Sequence, residues 1–407
     1  MRVALLSYST RPRGGVVHTL ELAEALARAG QNITVWALGR GGDQGFFRPV
    51  DPAVTLRVVP FPNAPDVPNA SSEPDISGEP DAPCEAVGPR ILRSIAVLRA
   101  AFDRPPAAAY DVVHAQDCIS ANAVDRCVRT VHHLDDFSTP ELAECHERAI
   151  VQPVAHVCVS AAVAAELAAG WGIRATVIPN GVRADRFAAA AGDTPDAVAA
   201  RRSWQARHGR YVLAVGGIEP RKGTLDLIEA MAAVRHRLPD VRLVIAGGET
   251  LFDYRAYRAA VDARAAELGV RPEVLGPVDH DALPALVAGA AAFAFPSTKE
   301  GFGLAAMEAL AAGVPVVVRD LPVLREVFGP AARFFAAGPG GPAGLAEALV
   351  RAVVGPDHAR RQAGRALAAR HTWDAAATAH LTLYRRLLAR AGRDLSRQGR
   401  QRLPWER

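Results

Sequence analysis

The stretch Ser297-Thr-Lys-Glu300-Gly-Phe-Gly303-Leu-Ala-Ala-Met-Glu308-Ala-Leu-Ala-Ala-Gly313 carries two acids in one short run. Residues 291–295 before it are apolar and end at Pro296. An apolar run, a glycine-rich turn and then an Ala/Leu/Met-rich segment predict a strand, a tight loop and a helix. Glu300 falls in the loop and Glu308 in the helix, while Gly301 and Gly303 free the backbone between them. Alone, a loop Glu before Gly is usually a solvated turn residue, and a Glu among alanines a helix-surface residue. The setting lifts the pair above that. A carboxylate can accept hydrogen bonds from sugar hydroxyls, and amides at a helix N-terminus can hold phosphate. A sugar nucleotide presents both groups in one molecule.

Working outward, the strand signal recurs at 211–215, 241–246, 273–275 and 314–318, each followed by turn residues and a helical pattern. Residues 223–238, for example, place Leu225, Ile228 and Ala232 on one face. An earlier series has strand signals at 3–7, 33–38, 112–114, 129–132 and 156–160. Its first helix, 17–29, carries Leu20, Ala23, Leu26 and Ala27 and stops at Gly30. Alternating strands and helices predict parallel sheets covered on both faces. The expected architecture is therefore α/β: two doubly wound, Rossmann-like domains facing across a cleft. The linker falls between the two series, in residues 177–182 and the polar stretch 184–210. The expected boundaries are 1–183, 184–371, a terminal helix over 372–391 and a basic tail over 392–407. Ligands of such sheets bind at the carboxyl ends of strands.

The length of 407 residues suits two cores better than one. Apolar residues make up 50% and charged residues 22%, as in a soluble globular protein. No apolar run is long enough to span a bilayer, and the first ten residues read as a strand, not a signal peptide. Five cysteines without Cys-x-x-Cys spacing argue against a disulfide framework or structural zinc, and for a reducing cytoplasm. The formal charge of +4 hides an asymmetry: residues 385–407 hold eight Arg against Asp394 and Glu406. The near-neutral body leaves no nucleic-acid footprint. The tail is a solvated terminus that also allows weak contact with anionic lipid at the inner membrane face. Residues 60–89, with eight prolines, six acids and no Lys or Arg, predict a mobile surface loop.

Three further clusters carry chemistry. Val215-Gly-Gly217-Ile-Glu-Pro-Arg221-Lys222-Gly223 follows a strand and opens a helix, so two cations there can neutralise a departing diphosphate. Arg11-Pro-Arg-Gly14-Gly15-Val-Val-His18 follows the first strand, where glycines allow close approach of a ligand or simply make a tight turn. It is not a Gly-x-Gly-x-x-Gly dinucleotide fingerprint. Arg129-Thr-Val-His132-His133-Leu-Asp135-Asp136 ends another strand, where a histidine can bond a sugar hydroxyl. Neighbouring strand residues point to opposite faces, so His132 and His133 do not share one metal ion. His114 is expected to be a hydrogen-bonded strand-end histidine.

The chain resembles glycosyltransferase family 4, retaining enzymes of the GT-B fold that use nucleotide sugars. Val177-Ile-Pro-Asn-Gly-Val182 with Phe187 is similar to the family's inter-domain segment. Val215–Gly223 is similar to its phosphate-binding segment, and Glu300 with Glu308 matches its Glu-x7-Glu signature. The resemblance implies that Glu300 holds donor-sugar hydroxyls and that Glu308 binds the ribose. It implies that Gly301, Phe302, Gly303 and Leu304 contact sugar and phosphate, and that Arg221 and Lys222 stabilise the diphosphate beside Gly217. Gly14 and Gly15 would line the donor from the other domain, and His132 would contact the sugar near the reacting centre. The first domain would bind the acceptor, and the terminal helix would cross back to it. The family often has Arg where this chain has Gly217, so Arg221 would supply the second charge. The implied activity is retaining transfer, of a hexose by expectation, to an unidentified hydroxyl without metal or other cofactor. The other classes compatible with the residues are a sugar-nucleotide epimerase and a non-catalytic sugar-nucleotide binder.

Overall fold

Both series of strand signals become parallel sheets. The computed structural model describes residues 1–62, 87–103, 110–135, 137, 140–247, 254–336, 338, 340–355 and 357–401, with 392–401 as backbone only. The chain divides into two units. The first comprises Met1–Val131, Asp135–Val157 and Ala377–Arg407; the second comprises His132–Leu134 and Cys158–Ala376.

In the first unit, β1 (Arg2–Ser7), α1 (Gly14–Arg28), β2 (Asn32–Gly39) and β3 (Val54–Pro60) come first. They are followed by α2 (Val87–Phe102), β4 (Val112–Ala115), α3 (Cys118–Asn122), β5 (Val128–Val131), α4 (Pro140–Val151) and β6 (Ala155–Cys158). The strand order is β3-β2-β1-β4-β5-β6. The chain winds one way from β1 and then returns to β4 on its other side, so the order reverses between β1 and β4. Val3, Ala4, Leu5 and Leu6 of β1 are fully buried, as a central strand covered on both faces requires.

The second unit opens with α5 (Ala161–Trp171), β7 (Thr176–Val177), α6 (Ala184–Ala190) and α7 (Pro195–His208). Its sheet is built from β8 (Arg210–Val215), β9 (Val241–Ala246), β10 (Glu273–Gly276), β11 (Ala292–Phe295), β12 (Val316–Arg319) and β13 (Arg333–Phe335). Helices α8 (Thr224–Arg237), α9 (Arg255–Glu267), α10 (Leu283–Ala288), α11 (Leu304–Ala311), α12 (Pro322–Phe328), α13 (Gly341–Val354) and α14 (His358–Arg370) connect and follow them. The order β10-β9-β8-β11-β12-β13 reverses between β8 and β11. Side chains alternate between two apolar clusters. Leu213, Phe293, Val316 and Val318 enter one, and Val212, Ala292, Ala294 and Val317 the other. That period of two is the strand geometry itself, with both faces dry.

The sequence reading missed β3, β7 and β13; β7 has only two residues, both exposed. β3 is the outer strand of its sheet and exposes Thr55, Leu56 and Arg57, so its buried pattern is too thin to register. β13 has only three residues. Most of the expected loop, residues 63–86, lies outside the described residues. The terminal helix α15 spans Trp373–Gln401, passing the expected end at Ala391. Side chains of the basic tail lie outside the described residues. Among the described residues, no helix is long and apolar enough to cross a membrane.

One buried polar cluster sits inside the first unit. His114 of β4 is fully buried, with Nδ1 2.6 Å from the Tyr384 hydroxyl and Nε2 2.8 Å from Thr130 Oγ1. His380 of α15 lies 5.5 Å from it between ring centroids, and His18 of α1 lies 6.4 Å from His380. Burial first, then His380 and His18, hold the His114 pKa well below the ordinary 6.5. The folded state thus keeps this ring neutral while the unfolded chain protonates it. Stability is complete above pH 6.5 and should fall below it by about 1.4 kcal/mol per pH unit for one such ring. Urea unfolding at pH 7, 6 and 5 will show this slope, and His114→Gln will reduce it by about one proton. A parent profile flat down to pH 5 would refute the assignment.

Candidate active site

The reversal between β8 and β11 puts two loops side by side. β8 and β11 pair in parallel, with Ala292 opposite Val212 and Phe293 opposite Leu213, so both carboxyl ends face the same way. After β8, a single 3-10 turn over Pro220–Lys222 leads to Gly223 and α8. Gly223 has φ 65°, and a Cβ there would meet the Pro296 carbonyl oxygen at 2.3 Å. Glycine is needed on both counts: for the left-handed backbone and for the contact with the end of β11. The Thr298 N–H donates to the Arg221 carbonyl at 2.8 Å and stitches the two loops together.

The charged side chains meet across that seam. Glu300 Oε1 accepts from Lys222 Nζ at 2.6 Å and from Arg221 Nη1 at 3.1 Å. Arg221 Nη2 also donates to Glu219 at 2.7 Å, and Arg221 Nη1 to the Lys299 carbonyl at 3.3 Å. The Glu300 side chain is only 10% exposed. Burial pushes its carboxyl pKa up, but Lys222, then Arg221, outweigh burial; with His133 adding to the same sense, the value falls to about 2. Glu300 is therefore an ionised carboxylate at any pH where a protein of this kind works. The Lys222 ammonium also lies 5.3 Å from the Phe295 ring centroid.

The other expected residues lie as follows, each within its own unit. His132 follows β5 directly, and its carbonyl oxygen packs on Gly301: an added Cβ would stand 1.5 Å from it. Phe302 is buried, edge-on to His371 at 5.6 Å. Gly303 caps α11, Leu304 begins it, and Glu308 sits half-buried in the next turn. The first-turn N–H groups of α11 have no helical acceptor, as at any helix start. Gly217 lines a small pocket with Gly216, Lys222, Thr224, Phe295 and Ser297. Gly14 and Gly15 open α1 in the first unit. Among the described residues, no three His, Cys, Asp or Glu side chains are grouped to hold a metal ion.

Sequence reasoning missed Glu219, Thr298 and Arg319. Glu219 was visible in the motif, but nothing local says that it pairs with Arg221. Thr298 acts through its backbone, which no side-chain code records. Arg319 has its partners 23 and 93 positions away.

Two family models match the chain: "Glycosyltransferase Family 4" over residues 12–186 and "Glycosyl transferases group 1" over 199–367. A phosphatidyl-myo-inositol mannosyltransferase of Mycobacterium tuberculosis is 28% identical over 94% of this chain and 96% of its own length. Sucrose-phosphate synthase from Thermosynechococcus elongatus superposes with TM-score 0.72 at 20% identity, covering 95% of this chain and 99% of that one. Anabaena HepE, solved with UDP and glucose, gives TM-score 0.65 at 18% identity over 95% and 98%. The two-sheet architecture is thus that of GT-B glycosyltransferases.

The glycine geometry separates two positions by stability. Gly301→Ala forces a carbon into the His132 carbonyl and should cost roughly 3 kcal/mol. Gly14→Ala meets nothing within 4 Å, so it should be neutral or stabilising by about 0.5–1 kcal/mol. Urea unfolding of both variants checks this; equal losses would contradict the close contact at Gly301.

Proposed function

We propose that this chain, matched by the family 4 model over residues 12–186 and the group 1 model over 199–367, is a glycosyltransferase of family 4 that moves a sugar from a nucleotide-diphosphate sugar to an acceptor hydroxyl. The observation that carries this reading is the ionised Glu300 held against Lys222 and Arg221 at the carboxyl ends of paired strands. Such a group can hold both ends of a sugar diphosphate: carboxylate to sugar hydroxyls, cations to phosphate. In the proposed reaction the anomeric carbon–oxygen bond breaks and its electron pair leaves with the diphosphate. The acceptor oxygen bonds to that carbon on the same face and passes its proton to the departing phosphate oxygen. Lys222 and Arg221 take up the charge developing on the leaving group, which is electrostatic stabilisation without an enzyme nucleophile. The N–H groups at Gly303 and Leu304 add to the phosphate site, Glu308 takes the ribose, and His132 borders the sugar. No divalent cation is needed in this scheme, since fixed cations do its work.

The nature of the acceptor is open to direct assay. Inositol-bearing lipids are the first acceptors to test, given the name of the relative that matches 94% of the chain. The arginines of residues 385–407 would favour an anionic membrane surface at the cytoplasmic face.

Product stereochemistry tests the mechanism. Anomeric NMR is expected to show the donor's configuration retained, with transfer unchanged in EDTA; an inverted product, or loss of transfer restored by a metal, would sink it. Donor isomerisation without an acceptor would point to an epimerase instead. Mutation tests the roles. Lys222→Ala should lower kcat by about 100- to 1000-fold, the usual cost of one transition-state donor, while Glu308→Ala should chiefly raise the donor KM. A Lys222→Ala enzyme with parental turnover would remove Lys222 from the leaving-group site.

A further inference from the structure

Arg319 closes β12, and its side chain is only 6% exposed. Its Nε donates to the Pro296 carbonyl at 3.0 Å, and its Nη2 is ion-paired with Asp226. Pro296 is the residue before the loop that bears Glu300, and Asp226 stands in the first turn of α8, just past Arg221 and Lys222. A Cβ on Gly223 would meet the Pro296 oxygen at 2.3 Å and Arg319 Nη2 at 3.3 Å, so the guanidinium lies against the junction itself. The Phe335 ring, 5.0 Å from the guanidinium carbon, backs it from β13.

From this geometry we infer that Arg319 is a positioning residue for the donor site, setting the spacing between the loop that carries Arg221 and Lys222 and the loop that carries Glu300. The inference rests on the donor reading above. A planar fork can satisfy a carbonyl and a carboxylate at once in a fixed geometry, which a lysine ammonium on a flexible stem does poorly. Removing it leaves the buried Pro296 carbonyl without this donor and Asp226 without its cation. The Thr298–Arg221 bond remains, so the loops shift without separating. A displacement near 1 Å at a reacting site costs about 100-fold in rate.

The test uses the full chain with UDP, GDP and ADP as binding probes, and then the nucleotide sugar that the parent consumes. Arg319→Leu should bind the preferred diphosphate about 10-fold more weakly and turn over about 100-fold more slowly, with the acceptor KM unchanged and Arg319→Lys intermediate. The pH profile gives a readout that loss of stability alone would not move. In the parent, Lys222 and Arg221 keep Glu300 ionised, so diphosphate binding should show no Glu300-dependent change between pH 7 and 5. In Arg319→Leu, a buried Glu300 less closely held by its cations should take up a proton and change binding toward pH 5. His133 and Glu219 face the same group in both proteins. Parental binding, turnover and pH profile in Arg319→Leu would overturn the inference while leaving the donor reading intact. A parent that binds none of the three diphosphates would overturn the donor reading and the inference together. Should Arg319→Leu fail to fold, Asp226→Asn, which keeps the guanidinium, decides: the same changes at smaller size support the role, and unchanged behaviour overturns it.

Discussion

Parallel pairing between β8 and β11 is the constraint on which the site depends. Lys222 and Glu300 are 78 positions apart in sequence, yet their charged atoms stand 2.6 Å apart. They meet because neighbouring parallel strands end on the same edge of the sheet, so the loops that follow them share one space. An antiparallel pair would send those loops to opposite edges. Adjacency alone is still not enough. Gly223 must press on Pro296, and the Thr298 amide must reach the Arg221 carbonyl, before the side chains can meet.

Two buried titratable groups solve the problem of burial in opposite ways. Glu300 keeps its charge because two cations outweigh the cost of leaving water. A buried ion pair of this kind contributes little to stability against an apolar alternative. Its effect is to keep charged groups already oriented where a charged ligand would be bound. His114 gives up its charge instead, and hydrogen-bonds Tyr384 and Thr130 as a neutral ring. Acid therefore acts on the two groups differently: it leaves Glu300 ionised and works against the packing around His114.

Much of the site was legible in the chain because its parts are local. Gly301, Gly303, Glu300 and Glu308 lie within one strand–loop–helix unit, and Arg221 and Lys222 within another. Each unit announces itself by an apolar run, glycines and a helical pattern. The three missed strands fail that test: β3 has an exposed edge, and β7 and β13 are too short. Gly301 shows a different limit. Its glycine suggested a tight loop with a freed backbone, whereas the structure needs it because the His132 carbonyl occupies the space of a side chain.

The sequence by itself determined the alternation of strand and helix, hence the parallel sheets, and the residue types available at the strand ends. Those are consequences of periodicity and short-range turn chemistry, which operate over a few residues. Only the tertiary structure decided which strand ends share an edge, and so that Glu300 pairs with Lys222 and Arg221. It alone decided that Arg319 reaches from β12 to Pro296 and Asp226. Contacts between distant positions depend on strand order, and strand order is set by how all the apolar faces are buried together, which no local pattern encodes.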